Sequence, residues 1–300
     1  MRLVTRRRAG AARPRPTLKT QLKTETSKAK RTRKAPRRPA ATSRLKLRAQ
    51  QHAAIAALGE RALAGLKPFA LMDEAVRTLS DALDVEYVKV CELVGEGPHF
   101  VIRAGNGWKP GTVGNPAISI EGDTQANYTL RADRPVIVTD IARETRFVTQ
   151  PLLLEHNVVS GISVVIRGRD GPYGVLAAHS IRRRRFTDDD ASVLISAANI
   201  LAMAIDRDRA DSQLRESESR LRAFFDKSPS LLNLRTPDGR YIMVNRHYRS
   251  VFGVTAKQLI GKTADALYPD QYAQKSQDAV ARVARTRRAE IYEQETPTPH

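Results

Sequence analysis

Cysteine is nearly missing from this chain. Cys91 stands alone among 300 residues, so an internal disulfide and a thiolate metal cluster are both excluded, and the usage suits a reducing compartment. Aromatic residues are few (5%), and none precedes Phe69. Acidic residues are almost absent from the first fifty positions, where eighteen Lys and Arg face one acid, Glu25. The other 250 residues hold thirty-three basic against thirty-one acidic side chains, so the net charge of +19 belongs to a tail. Long apolar runs are missing too. The stretch around Val193–Ile205 falls short of the roughly twenty residues that span a bilayer, and the basic N-terminus lacks the apolar segment of an export signal. The expectation is a cytoplasmic chain with no membrane span.

Catalytic signatures are likewise absent. There is no glycine-rich nucleotide box, no phosphate loop and no Gly-Gly-Asp/Glu-Glu-Phe cyclase sequence. Of the six histidines, His52, His99, His156, His179, His247 and His300, none sits in the acidic pattern of a kinase phosphoacceptor helix. No catalytic residue and no metal site are expected. The acidic run Asp188-Asp189-Asp190 reads as a helix N-cap, since its carboxylates satisfy free N–H groups and favour the positive end of the dipole.

What is present divides the chain. Residues 1–43 alternate Arg and Lys with Pro, Ala and Thr, too poor in large apolar groups to offset ordering entropy, and read as a disordered basic tail. Nucleic-acid contact, if the chain makes any, is confined to this tail, whereas a solvated leader is the simpler reading. From Arg44 the apolar residues recur at helical spacing through Leu63, and a second helix follows Lys67-Pro68. The period then switches to strands, at Tyr87–Val94 and His99–Ala104 around a Gly95–Pro98 turn. A short helix is predicted over 123–131, a brief strand over 135–138, and a hairpin from strands 158–166 and 173–179 turning at Arg169-Asp170-Gly171-Pro172, with Asp-Gly as its central pair. Thr187 caps a helix predicted from Asp188 to about Lys227. Its heptad positions Ile200, Arg207, Leu214 and Leu221, with Met203, Ala210, Ser217 and Phe224, form a weak seam suited to pairing. Beyond Ser228-Pro229, strands over 231–235 and 241–244 flank a Pro237-Asp238-Gly239 turn. Short helices follow, one opened by a Thr255–Gln258 capping box, then a helix over 270–285 and a strand beginning near Glu290.

Two stretches carry a specific likeness. Trp108-Lys109-Pro110-Gly111 to Tyr128-Thr129-Leu130, and Val158-Val159-Ser160-Gly161 through Gly174-Val175-Leu176 to Arg185–Asp190, resemble the pocket loops and closing hairpin of a GAF domain, placed at 44–210. Leu221–Phe225, Ser228-Pro229, Asp238-Gly239-Arg240, Val244-Asn245, Phe252-Gly253 and Leu259–Lys262 together resemble a PAS domain, placed at 218–300, with residues 188–227 as the connecting helix. The resemblance implies an α+β fold, a GAF antiparallel sheet flanked by helices and then an incomplete PAS fold. A PAS sheet has five strands and only three are counted here, which implies a fragment of a longer protein or a truncated gene product.

The same resemblance implies small-ligand cavities. For the GAF domain the candidates are Trp108, Tyr128, His156 and His179; for the PAS domain they are Phe225, Asn245, Tyr248 and Phe252. An aromatic wall with a few polar groups is how such cavities are made, although each of these aromatics could equally fill core. Pigment and redox readings are disfavoured, so no cofactor is expected. The PAS segment has no cysteine for a flavin, the helix over 270–285 has no histidine for haem, and Cys91 lies on an early strand rather than where bilins attach. Of the cyclic-nucleotide pattern only Phe186 and Asp190 fit, loosely. The expected function is the input half of a bacterial two-component sensor histidine kinase. It would form a parallel homodimer through its long helix and act on a downstream output domain or response regulator. A stand-alone interaction adaptor and the input region of a diguanylate cyclase are the alternatives.

Overall fold

The computed structural model describes residues 41–95, 99–114, 123–266, 268 and 270–293. Residues 1–40 lie outside this set, and with them the tail reading except at 41–43, which belong to the first helix and not to a disordered tail. The larger of the chain's two units begins at Leu45, within the first helix.

Helix α1 spans Ala41–Leu63 and α2 spans Pro68–Leu83. Pro68 opens α2 where its missing N–H costs nothing, and Asp84 closes it in the left-handed region at φ 51°. Five strands follow with helices between them: β1 (Tyr87–Val94), β2 (His99–Asn106), α3 (Gln125–Arg131), β3 (Val136–Val138), α4 (Pro151–Glu155), β4 (Ser160–Gly168) and β5 (Gly171–Ser180). They form one antiparallel sheet in the order β2-β1-β5-β4-β3. Helix α5 then runs unbroken from Asp188 to Lys227. Its start is a full capping box: the Thr187 hydroxyl receives the Asp190 N–H, and Asp190 Oδ2 receives the Thr187 N–H at 2.9 Å. The aspartate run is thus consumed by the helix end, and Asp189 also pairs with Arg48.

Strand parity sends alternate residues to opposite faces of the sheet. Val88, Val90, Ile162, Val164, Ile166, Leu176 and Ala178 go to one face, where they pack on Leu71, Met72, Leu79, Leu194, Ala197 and Leu201 of α2 and α5. The other face takes Cys91, Ile102, Val175 and Ala177, covered by Ala126 of α3 and Leu152 of α4. The first half of α5 is therefore a core helix, and its second half projects beyond the sheet.

The hairpin between β4 and β5 corrects one sequence expectation. Gly168 pairs with Gly171, so the loop residues are Arg169 and Asp170 rather than Asp170 and Gly171. Neither loop residue has positive φ, whereas Gly171 does, at 137°. Asp206 of α5 fixes the loop by accepting the Arg169 N–H at 2.8 Å.

After α5 come β6 (Asn233–Arg235) and β7 (Tyr241–Val244), a two-stranded antiparallel ribbon, then α6 (Arg246–Phe252), α7 (Ala256–Leu259) and α8 (Asp270–Thr286). Tyr241, Val244, Tyr248, Phe252, Leu259 and Tyr268 make a small core of their own. The capping box predicted at Thr255 and Gln258 is formed. The strand expected near Glu290 is not: residues 287–293 have no regular structure. A strand needs a ladder partner, and these residues meet α8 instead. Arg282 pairs with Glu290 at 2.7 Å, and Lys275 donates to the Glu293 carbonyl at 2.9 Å.

Candidate functional site

The α3/α4 face of the sheet holds the polar groups. Register places Tyr87, Lys89 and Cys91 of β1 opposite His179, Ala177 and Val175 of β5, and Gly161 and Ser163 of β4 opposite His179 and Ala177. Alternate positions on three central strands therefore converge on one patch. Gly161 is required there, because a Cβ at that position would lie 2.5 Å from His179 Nδ1.

Of the four GAF residues singled out from the sequence, three meet. Trp108, His156 and His179 form a ring cluster with Tyr87, with Trp108 centroids 5.0 Å from His156, 5.9 Å from His179 and 4.8 Å from Tyr87. Tyr128 lies apart, against Phe147 and below the Arg146 guanidinium. The polar atoms of two of these residues are already committed. The Trp108 indole N–H donates to the Val88 carbonyl at 2.9 Å. His156 Nδ1–H donates to the Leu152 carbonyl at 2.8 Å, and its Nε2 accepts the Lys109 N–H at 3.1 Å, which uses both nitrogens of a neutral ring. Trp108 and His156 brace the ring cluster, and of the four candidates only His179 lines the cavity beside it.

His179 differs. It is 1% exposed, and neither of its ring nitrogens has a hydrogen-bond partner. Burial, with the nearby Lys89 charge, holds its pKa well below the ordinary histidine value, so the ring is neutral, with one N–H to donate and one lone pair to accept. Lys89, which no sequence pattern singled out, is 3% exposed. Its ammonium has a long contact to Gln150 Oε1 at 3.5 Å and sits 5.1 Å from the Trp108 ring centre. Burial lowers its pKa and raises that of the Cys91 thiol beside it, which leaves Cys91 protonated and inert.

These groups line a cavity with Gln125, Gln150, Ser163 and the methyl groups of Ala126 and Ala177. About 230 Å³ lies in and in front of this half-open cavity, solvent included, and about 10 Å³ admits the centre of a water molecule. Gln125 and Ser163 are satisfied: Gln125 Nε2 donates to Ser163 Oγ at 3.0 Å, and Thr129 Oγ1 lies 2.7 Å from the same oxygen. The signal that could have exposed Lys89 was its parity. A lysine between Val88 and Val90 on a central strand is forced onto the face it shares with Cys91.

In the second core the singled-out polar atoms are spent on protein partners. Asn245 caps α6 through the Tyr248 N–H (2.9 Å) and accepts the Leu232 N–H (3.1 Å). Its amide donates to the carbonyls of Phe225, Ser228 and Ser230. Tyr248 sits in a hydroxyl chain, 2.9 Å from Tyr241 and 2.8 Å from Tyr268, and Arg235 closes the Tyr241 end. Phe252 stacks between Tyr248 and Tyr268. Phe225 ends α5, half-buried, and contributes its carbonyl to Asn245. Among the described residues no group of three or more His, Cys, Asp or Glu is placed to hold a metal ion, and no helix is long and apolar enough to cross a membrane.

This architecture is that of a sensory-domain pair. Residues 69–205 match the GAF domain and residues 225–299 match the PAS fold, so the chain carries a GAF domain followed by a PAS fold. Among solved structures it is similar to the GAF domain of a phosphoenolpyruvate-protein phosphotransferase from Coxiella burnetii, with 16% identity, a TM-score of 0.50, and coverage of 55% of this chain and 98% of that one. It also resembles the GAF domain of the Acinetobacter phosphoenolpyruvate-protein phosphotransferase, with 17% identity, a TM-score of 0.47, and coverage of 54% and 97%. A curated protein of Methanosarcina acetivorans, the methyl sulfide methyltransferase-associated sensor, is 27% identical over 100 residues. That match takes in 33% of this chain and 10% of the relative, so the chain spans about a tenth of that protein's length.

Proposed function

We propose that this chain is the sensory input region of a signal-transduction protein of the histidine-kinase kind. The GAF cavity takes a small molecule, and α5 carries the change past the PAS fold to an output domain. The observation behind this reading is the continuity of α5. Its first half is sealed into the GAF core through Leu194, Ala197 and Leu201, and its last turn is tied to the PAS fold through the Asn245 amide on the Phe225 carbonyl and the Arg246 N–H on Asp226. Between these anchors the heptad residues stand in solvent: Met203 is 69% exposed, Leu214 60%, Leu221 67% and Phe224 78%. Exposed apolar groups at heptad spacing, interrupted by Arg207, Ala210 and Ser217, suit weak pairing with a second copy in parallel, and a paired helix can pass on a small rotation or shift. The name of the Methanosarcina relative, a sensor, agrees with this reading.

The test is to denature the purified full chain, identify any stoichiometric small molecule released, and add it back while following amide exchange over residues 206–227. The expected result is a released compound that alters protection of that segment, together with a dimer in sedimentation equilibrium that Leu214→Asp dissociates. A chain that carries no compound and whose α5 exchange is indifferent to a cell metabolite fraction would contradict the proposal.

A further inference from the structure

We infer that the GAF cavity binds a small monoanion of the carboxylate class between Lys89 and His179. The inference rests on the sensor reading and names the ligand chemistry of the same site. Its basis is a count of hydrogen-bonding capacity around the cavity. The Trp108 indole, both nitrogens of His156 and the Gln125–Ser163–Thr129 chain all have protein partners. What is left over is the Lys89 ammonium, with one long contact, and His179, with none. Buried polar groups are normally paired, and an unpaired one marks a missing partner.

The missing partner must accept hydrogen bonds and bring negative charge. A lysine carries three donors and no acceptor, and among the described residues no Asp or Glu lines the cavity to serve as its counter-ion. Burying an unpaired charge is costly, which is why burial lowers the Lys89 pKa, and a carboxylate beside the amine favours its charged form again. A single water could fill the space sterically but would leave the charge uncompensated. One carboxylate oxygen can take a Lys89 proton while the other accepts the His179 N–H, so a single group completes both residues. A metal cation is excluded by Lys89 between the two would-be ligands His179 and Cys91. A dianion such as phosphate asks for more donors than the pair can offer. The space, walled by Ala126, Val175 and Ala177, holds about one water as it stands, so the ligand belongs to the smallest carboxylates, and seating one requires the Gln125 and Gln150 side chains to shift. Lys89 and His179 sit on the two central strands joined in register, so a ligand there bridges β1 and β5, and β5 leads into α5.

Calorimetric titration of the full chain with formate, acetate and propanoate at constant ionic strength tests this, with acetamide as the neutral isostere and the ring resonances of His179 as a local reporter. Acetate is expected to occupy one site on the order of tenfold or more tighter than acetamide and to move the His179 resonances. Lys89→Met should abolish the binding while keeping the far-ultraviolet spectrum of the parent and unfolding at no lower temperature than it does, and His179→Gln should weaken it. If Lys89→Met does not fold, the wild-type resonances and His179→Gln carry the test. Acetamide binding as tightly as acetate, or undiminished binding by Lys89→Met, overturns the anionic class. If His179 still responds to the neutral molecule, the sensor reading survives. Carboxylates that leave His179 unmoved overturn the site itself, and the released-compound experiment then judges the sensor reading separately.

Discussion

The GAF sheet and the PAS ribbon each bury a polar cluster, and the two clusters are built on opposite terms. In the PAS fold, Arg235, Tyr241, Tyr248 and Tyr268 pass hydrogen bonds along a closed chain, and Asn245 spends its whole amide on five backbone partners. Desolvation raises the pKa of all three tyrosines, which keeps their hydroxyls neutral and available as donors. In the GAF sheet, Lys89 and His179 are deeply buried and far less satisfied. A closed network specifies a fold; an open one costs stability and is kept for what can close it. The aromatic count would have ranked the two sites alike. The difference lies in whether the polar atoms have partners.

The sharpest way to break the comparison is at Asn245. Replacing it with Ala removes a helix cap and strands several backbone groups, so a loss of about 3 kcal/mol is expected, seen in urea melts as early unfolding of the PAS region. A loss below about 1 kcal/mol would mean that water replaces the amide and the network is not closed. The GAF side should show a different signature, in pH. His179 stays neutral when folded because its pKa is held below the ordinary value. In the unfolded chain it titrates near about 6.5. Below that pH the unfolded state binds a proton that the folded state refuses, so stability is full above about pH 6.5 and falls as pH drops, by about 1.4 kcal/mol per unit from this one group. Because His156 and Lys89 share the patch, this part of the slope is read as the difference between the parent and His179→Gln. His179→Gln should flatten the slope; an unchanged slope would place the proton elsewhere. The smallest effect is expected at Tyr248→Phe, which removes the middle hydroxyl of the chain and should cost about 1 kcal/mol without altering response to any ligand of the GAF cavity.

Much of this was legible in the sequence where the forces are local. The β4/β5 hairpin, the Thr187 cap, the Thr255 capping box and the full length of α5 follow from periodicity and cap chemistry within a few residues, and the structure has them. Trp108, His156 and His179 were found through a family resemblance and do come together. Lys89 was not found, because its burial depends on α3 and α4 closing over a strand far away in sequence. Gln150 touches it from 61 residues on. The strand expected near Glu290 failed for the converse reason. The local composition allows it, but a strand exists only beside another, and the partners for residues 287–293 are the side chains of α8.

One measurement bears on the central contrast most directly: the unfolding free energy of Lys89→Met against the parent, without added ligand. If Lys89 is buried without a counter-ion because a ligand supplies one, an apolar side chain of similar length should raise stability, by about 1–2 kcal/mol, while removing the response to carboxylates. A variant less stable than the parent would show that the protein already satisfies the ammonium, and that the GAF cavity holds no unfilled anion site.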